Sequence, residues 1–293
     1  MFSNNSQDYP QQNLQRAFSI IEMSIVVLII SILIGSISAT RAMINKARLS
    51  NAQSLTQNSI VHNLSDDLVM WLETSLDTSF IASEVKNDLS KISIWRDNNK
   101  NTETKNNAVQ TNSSIQPNIV KNAFYNSIPG VRFTGQLMTF NGAPLIRSSY
   151  TIFVVEQRRD SGSSRYFIGG SDATCNSNLT LGYRSNGVFT QAHWCHDIDA
   201  SVPNYTSPIP RVHTIYFNNS IGKRYSINGT LINSSTSQLN SIQAYNNPAI
   251  GRSFSWYYLG DIGEVIIFKR SLNNDEIKAV ENYLGSKFGI AVK

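Results

Sequence analysis

The sequence predicts a mainly β protein: a long amino-terminal α-helix, then an antiparallel β-sandwich, then a carboxyl-terminal helix. Three observations predict it. The run from Ala17 to Thr40 is apolar and carries one charge, Glu22. After about Asp66, short stretches alternate apolar and polar residues between polar turns, as half-buried strands do. Near the end, Ile277, Val280, Leu284 and Phe288 recur at helical spacing.

The first element follows from length and cost. As a helix, the run from Ala17 to Thr40 spans ~35 Å at about 1.5 Å per residue, enough for a bilayer core of about 30 Å. A secretory signal peptide has a shorter apolar stretch, although "SISAT" imitates its cleavage site. A carboxylate in hydrocarbon costs at least ~2.5 kcal/mol, so Glu22 needs a partner and a purpose. Beyond Thr40, "RAMINKARLSNAQSLTQNSIVHNL" has no Pro or Gly, and the helix is expected to continue to a break near Ser65 or Asp66. Ile44, Ala47 and Leu55 give it a loose apolar stripe.

The polar leader of residues 1–17, Arg16, Ala17 and "FSIIE" together resemble the type IV prepilin signal. That resemblance implies cutting between Ala17 and Phe18 by a prepilin peptidase and N-methylation of Phe18. Residues 18–65 would be the transmembrane and assembly helix. Glu22 would meet the Phe18 amine of a neighbouring subunit, since paired buried charges offset each other's desolvation. Ala17 departs from the family, whose residue before the cut is normally Gly. The family places the carboxyl end outside the cytoplasm, whereas Arg41, Lys46 and Arg48 against Arg16 favour the reverse by charge counting. The resemblance is followed, because it accounts for Glu22 and the cut site together.

Strands are expected at 130–135, 150–157, 165–170, 179–184, 187–194, 211–220, 223–229, 230–235, 249–252 and 260–270. Asn228-Gly229 in "SINGTLI" marks a tight hairpin, because both residues accept positive φ. Many short strands point to a two-sheet sandwich or barrel. In the tail, Asn273 or Asn274 can cap the helix, and Asp275 and Glu276 suit its positive end. The closing stretch "GDIGEVIIFKRSLNNDEIKAVENYLGSKFGI" resembles that of concanavalin A-like, laminin-G-like jelly rolls. "VMWLETSLDTS", "IWRDNNKN" and "PGVRFTG" fit that family in order. The resemblance covers most of residues 66–293. It implies a jelly-roll head that binds glycans or proteins through loops, sometimes with calcium.

Composition bounds the function. Only 15% of the 293 residues are charged, so the surface must be carried by Asn, Ser, Thr and Gln. A net charge of +5 without a basic run gives no nucleic-acid motif. The two cysteines, Cys175 and Cys195, can close a loop of about 20 residues worth ~3 kcal/mol. Free thiols, or a metal site with His193 and His196 of "HWCH", are the alternatives.

Candidate ligand-binding residues in the head are Trp194, Asp197, Asp199, Trp256 and Tyr257, with Tyr258 as a further aromatic. Asp172, Asp197 and Asp199 flank the cysteines and could ligate calcium, although no calcium motif is present and no cofactor is expected. Trp71 and Trp95 are expected in the core, and Arg96–Asp97 in a loop-holding role. Glu156 and Glu264 would be the acid pair of a hydrolase if they faced one cleft. Gly169-Gly170 lacks the context of a phosphate loop. The expectation is a non-enzymatic, pilin-like minor or tip subunit of the bacterial inner membrane, with its head in the periplasm and then on a filament. Its partners would be other pilin subunits and a glycan or surface ligand. A secretion pseudopilin and a tethered glycan-processing enzyme are the alternatives.

Overall fold

The structure, a computed structural model, describes residues 19–293. The expected processing residues Ala17 and Phe18 lie outside the described residues. The chain falls into two compact units that meet between Lys46 and Ala47.

Helix α1 runs from Ile20 to Gln57. Every residue from Ser19 to Ile44 is exposed, although Ile, Val and Leu dominate. A helix apolar on all sides needs hydrocarbon around it, and this one is long and apolar enough to cross a membrane. That is consistent with a signal sequence or a single membrane anchor. Its hydroxyls are satisfied within the helix: Ser24 donates to the Ile20 carbonyl and Ser31 to Val27, both at 2.7 Å. Glu22, in the first turn, accepts from the Ser19 amide at 2.8 Å.

The regular helix stops at Gln57, earlier than expected, because Ser59 leaves helical geometry and caps a following 3₁₀ segment, Ile60–Asp67. The expected stripe is also displaced: Ile44 and Ala47 are exposed, and Ala52 and Thr56 are the buried residues.

Eighteen strands follow among the described residues: β1 (Leu68–Glu73), β2 (Ile94–Trp95), β3 (Ala108–Val109), β4 (Asn118–Val120), β5 (Gly130–Thr134), β6 (Met138–Thr139), β7 (Tyr150–Arg158), β8 (Arg165–Gly169), β9 (Thr180–Ser185), β10 (Val188–Ala192), β11 (Ile198–Ser201), β12 (Arg211–Asn218), β13 (Gly222–Ile227), β14 (Thr230–Ser235), β15 (Ala249–Ile250), β16 (Arg252–Ser253), β17 (Trp256–Tyr257) and β18 (Leu259–Phe268). One antiparallel sheet has the order β14-β13-β12-β7-β18-β5-β4, with β1 also on β18. The other has the order β11-β10-β9-β8-β15-β6-β3-β2. Strands β16 and β17 form a separate hairpin. The Asn228-Gly229 turn has φ of 49° and 75°, as its sequence requires.

The two sheets enclose a core that includes Trp95, Tyr150, Ile152, Val154, Phe167 and Phe189. The opposite face of the first sheet is covered by α2 (Asn274–Phe288), which packs Val280, Leu284 and Phe288 against Trp71, Phe153 and Ile266. Asn273 caps α2 reciprocally with Glu276. Among the described residues, no helix packs on the outer face of the second sheet, and that face carries the site.

Candidate functional site

Alternation along the strands decides what the outer face of the second sheet displays. Leu181, Tyr183 and Phe189 point into the core, so Gly182, Arg184, Thr190 and Ala192 point out. Register then aligns Tyr166, Gly182, Thr190 and Asp199 in a row across β8, β9, β10 and β11. Gly182 has φ +146°, and a Cβ there would lie 2.6 Å from the Tyr166 Cα, so only glycine lets the strands close at this point.

Two segments add aromatic walls to this floor. The β16–β17 hairpin brings Trp256 and Phe254. It lies flat on β8 because Gly169 has no side chain; a Cβ there would meet the Ser253 Cβ at 2.2 Å. Phe254 N donates to the Gly170 carbonyl at 2.6 Å, and the Thr180 and Ser253 hydroxyls are 2.7 Å apart.

The second segment is the loop after β10, which brings Trp194 and Asp197. Trp194 and Cys195 both have left-handed backbones, φ 49° and 67°, and such residues are held only where the surroundings over-determine them. Here the restraints are the Cys175–Cys195 disulfide, with Cα atoms 5.2 Å apart, and Asn176 N donating to the His193 carbonyl at 2.7 Å. The Lys223 ammonium donates to the His196 carbonyl. Burial pushes that lysine down to about 7, against the pull of Asp197. The disulfide settles the cysteine alternatives in favour of a covalent bridge.

These parts form a cleft of about 220 Å³ lined by Tyr166, Thr180, Arg184, Thr190, Ala192, Trp194, Asp197 and Trp256. The Trp194 and Trp256 rings are near parallel, at 24°, with centroids 6.3 Å apart; Phe254 and Tyr166 flank Trp256 at 5.6 and 5.9 Å. Arg184 sits beside them and meets Asp197 at 2.6 Å and Asp199 at 3.3 Å. Burial opposes its charge, but the two carboxylates outweigh that and raise its pKa. The cleft thus offers aromatic faces next to a few fixed polar groups, the composition of a small-molecule site.

Of the expected residues, Trp194, Asp197 and Trp256 meet in this cleft, and Asp199 borders it through Arg184. Tyr257 does not line it, and Tyr258 is buried in the core, donating to Glu156. Tyr166, Arg184 and Thr190 were missed; their signal is the outward parity of "RYFIGG", "LTLGYR" and "GVFTQAHW".

His193 is fully buried between the Tyr150 hydroxyl and the Asn240 carbonyl, at 2.8 and 2.6 Å, and burial, then Lys223, holds it well below its ordinary pKa. His196 lies apart, beside the Asn240 amide. Asp172 is engaged by Thr174 and Asn246 rather than by the other aspartates. Among the described residues, no three His, Cys, Asp or Glu converge as metal ligands.

The two glutamates do not face one cleft. Glu156 points into the core and accepts from Tyr183 at 2.7 Å, with the His213 ring also at 2.7 Å. Glu264 points to the α2 face, where Trp71 Nε1 donates at 2.7 Å and Lys287 at 2.7 Å. Both are fully buried on opposite faces of one sheet, because the register shifts between Ile262 and Glu264.

The sequence matches no protein-family model and no curated protein. The fold is similar to Trypanosoma rangeli sialidase in complex with 2,3-difluorosialic acid: 12% identity, TM-score 0.54, 89% of this chain and 40% of that one covered. It is also similar to the CBM40 of the Ruminococcus gnavus IT-sialidase bound to α2,6-sialyllactose, at 14% identity, TM-score 0.41, and 47% and 85% coverage. For the binding domain of botulinum neurotoxin DC in complex with rat synaptotagmin II, the values are 17%, 0.45, 75% and 52%. The chain spans less than half the length of that trypanosomal sialidase. At these identities the likeness is one of fold.

Proposed function

We propose that the chain is a membrane-anchored, pilin-like minor or tip subunit whose sandwich head binds sugar in the Trp194–Trp256 cleft. The observation that carries the sugar reading is the near-parallel Trp194–Trp256 pair beside Arg184 and Asp197 on an open sheet face. Flat aromatic faces take the CH face of a pyranose, and fixed polar groups at their edge take its hydroxyls. Similarity of fold to a sialidase is compatible with this reading and adds no residue to it.

The pilin-like part of the proposal rests on the helix. It is exposed from Ser19 to Ile44 and apolar up to Thr40, with its one acid, Glu22, in the first turn. That acid would pair with the Phe18 amine of a neighbouring subunit in an assembled filament. The role is binding rather than catalysis: Glu156 and Glu264, the acids considered for hydrolysis, are buried apart.

The test is a glycan panel probed with the full chain in lipid nanodiscs. Wild type is expected to retain a subset of glycans without turning them over. Trp256→Ala, at an exposed position, should weaken binding on the order of tenfold while leaving the melting temperature in place. Binding to pseudopilins with no glycan retained would instead indicate a secretion pseudopilin. Turnover of a retained glycan would refute the non-catalytic assignment.

A further inference from the structure

We propose a second binding site, a cationic pocket at the exit of β2 that takes a phosphate monoester. Strand β2 ends the second sheet at the edge opposite β11, away from the aromatic cleft, and the site stands independently of the sugar reading.

The pocket has a volume of about 380 Å³, and Arg96, Lys100 and Lys105 line it together. Among the described residues, Asp97 is the one carboxylate in the lining, and it is spent on the frame. Its Oδ1 accepts from the Trp71 and Asn99 amides at 2.9 and 3.0 Å, and its Oδ2 from the Asn106 amide at 3.0 Å. Asp97 thus does the loop-holding expected of Arg96–Asp97, and the Arg96 side chain takes no part in it. The Arg96 backbone amide donates to the Ser79 carbonyl at 2.8 Å, and its side chain is exposed. Six of the head's arginines, Arg132, Arg158, Arg159, Arg165, Arg184 and Arg270, meet a carboxylate within 3.7 Å. Among the described residues, neither Arg96 nor the exposed Lys100 meets one. Asp77 and Glu103, the neighbouring acids in sequence, are exposed and lie outside the lining.

The three cations and one acid of the lining sum to two positive charges. A phosphate monoester brings about −1.5 to −2 at pH 7 and three acceptor oxygens, which matches that sum. The other polar groups suit an acceptor-only ligand. Asn107 Oδ1 is taken by the Asp97 amide at 2.9 Å, so what that side chain has left to offer is N–H. The Ser79 hydroxyl already donates to Glu73, whereas the Thr78 hydroxyl is exposed and can donate. Lys105 is held by the Asn99 carbonyl and contributes charge at a fixed place. Arg96 is left to meet two phosphate oxygens with its guanidinium fork, and Lys100 to meet the third. The frame is set before any ligand arrives: Asn99 Nδ2 donates to the Leu68 carbonyl at 3.0 Å, and Asn106 Nδ2 to the Asn141 carbonyl at 2.9 Å.

The test is calorimetric titration of the full chain in nanodiscs of zwitterionic lipid, at constant ionic strength and pH 7.5. The probes are inorganic phosphate, glucose 6-phosphate, glucose 6-sulfate and glucose. Glucose 6-phosphate is expected to bind about tenfold or more tightly than glucose 6-sulfate, because the phosphate carries nearly one more charge into the pocket. Inorganic phosphate binding as tightly as glucose 6-phosphate would make the free ion the ligand; tighter binding of the ester would make it a phosphorylated sugar. Arg96→Gln with Lys100→Gln, both at exposed positions, should weaken phosphate binding at least tenfold, and Trp256→Ala should leave it unchanged. No phosphate probe binding wild type, or sulfate binding as tightly as phosphate, would overturn the proposal. So would phosphate affinity that survives the double substitution or is lost in Trp256→Ala. The wild-type ratio of phosphate to sulfate decides the matter even if the double variant fails to fold.

Discussion

Lys287 has its ammonium buried between two carboxylates, Glu73 at 3.0 Å and Glu264 at 2.7 Å. Glu73 also accepts from Ser75 and from the Leu76 amide, while Trp71 and Tyr283 donate to Glu264. Burial raises both acids; at Glu73 the lysine and the neighbouring donors outweigh it and hold the carboxyl low, whereas Glu264 stays raised. Lys287→Met should therefore cost about 3–5 kcal/mol of stability, because it strands two buried acids. Without the cation, Glu264, whose folded pKa already lies above its ordinary value through burial, would be raised further. The variant should then be most stable near about pH 5 and lose stability as pH rises toward about 7. Thermal melts across that range check this; a variant as stable as wild type, or one with no such slope, would contradict the account. None of this cluster was legible in the sequence. Glu264 stood out as an acid in a strand, but its face depends on the register shift after Ile262, and Lys287 lies on a helix remote in sequence.

Elements were more legible than residues. The long strands β7, β12 and β18 fall within a residue or two of their expected places, because burial on both faces or clean alternation marks them. The two-residue strands β2, β3, β6, β16 and β17 were not distinguished, since such pieces have no period to read. The hairpin that carries Trp256 belongs to that group. Three of the five candidate ligand residues nonetheless meet in one cleft: Trp194 and Trp256, singled out as aromatics, and Asp197, singled out beside the cysteines. Strand parity would have added Arg184 and Thr190. At this scale the helix makes its own prediction. The amino-terminal peptide of protein from native membranes should have the mass of a chain starting at methylated Phe18, and Glu22→Ala should impair assembly while sparing insertion. An intact leader, or normal assembly of the variant, would remove the basis for a pilin-type role.

The head divides its labour between faces. One sheet turns its outer face to α2 and is sealed by Val280, Leu284 and Phe288; the other leaves its outer face open. The open face is where the chain places its disulfide loop, with the adjacent left-handed residues Trp194 and Cys195. The most direct measurement is a crystal structure of the protein with its best-binding oligosaccharide. The account predicts a sugar ring against Trp194 and Trp256, beside Arg184 and Asp197. A sugar seated on another face or loop rim, with this cleft vacant, would contradict it.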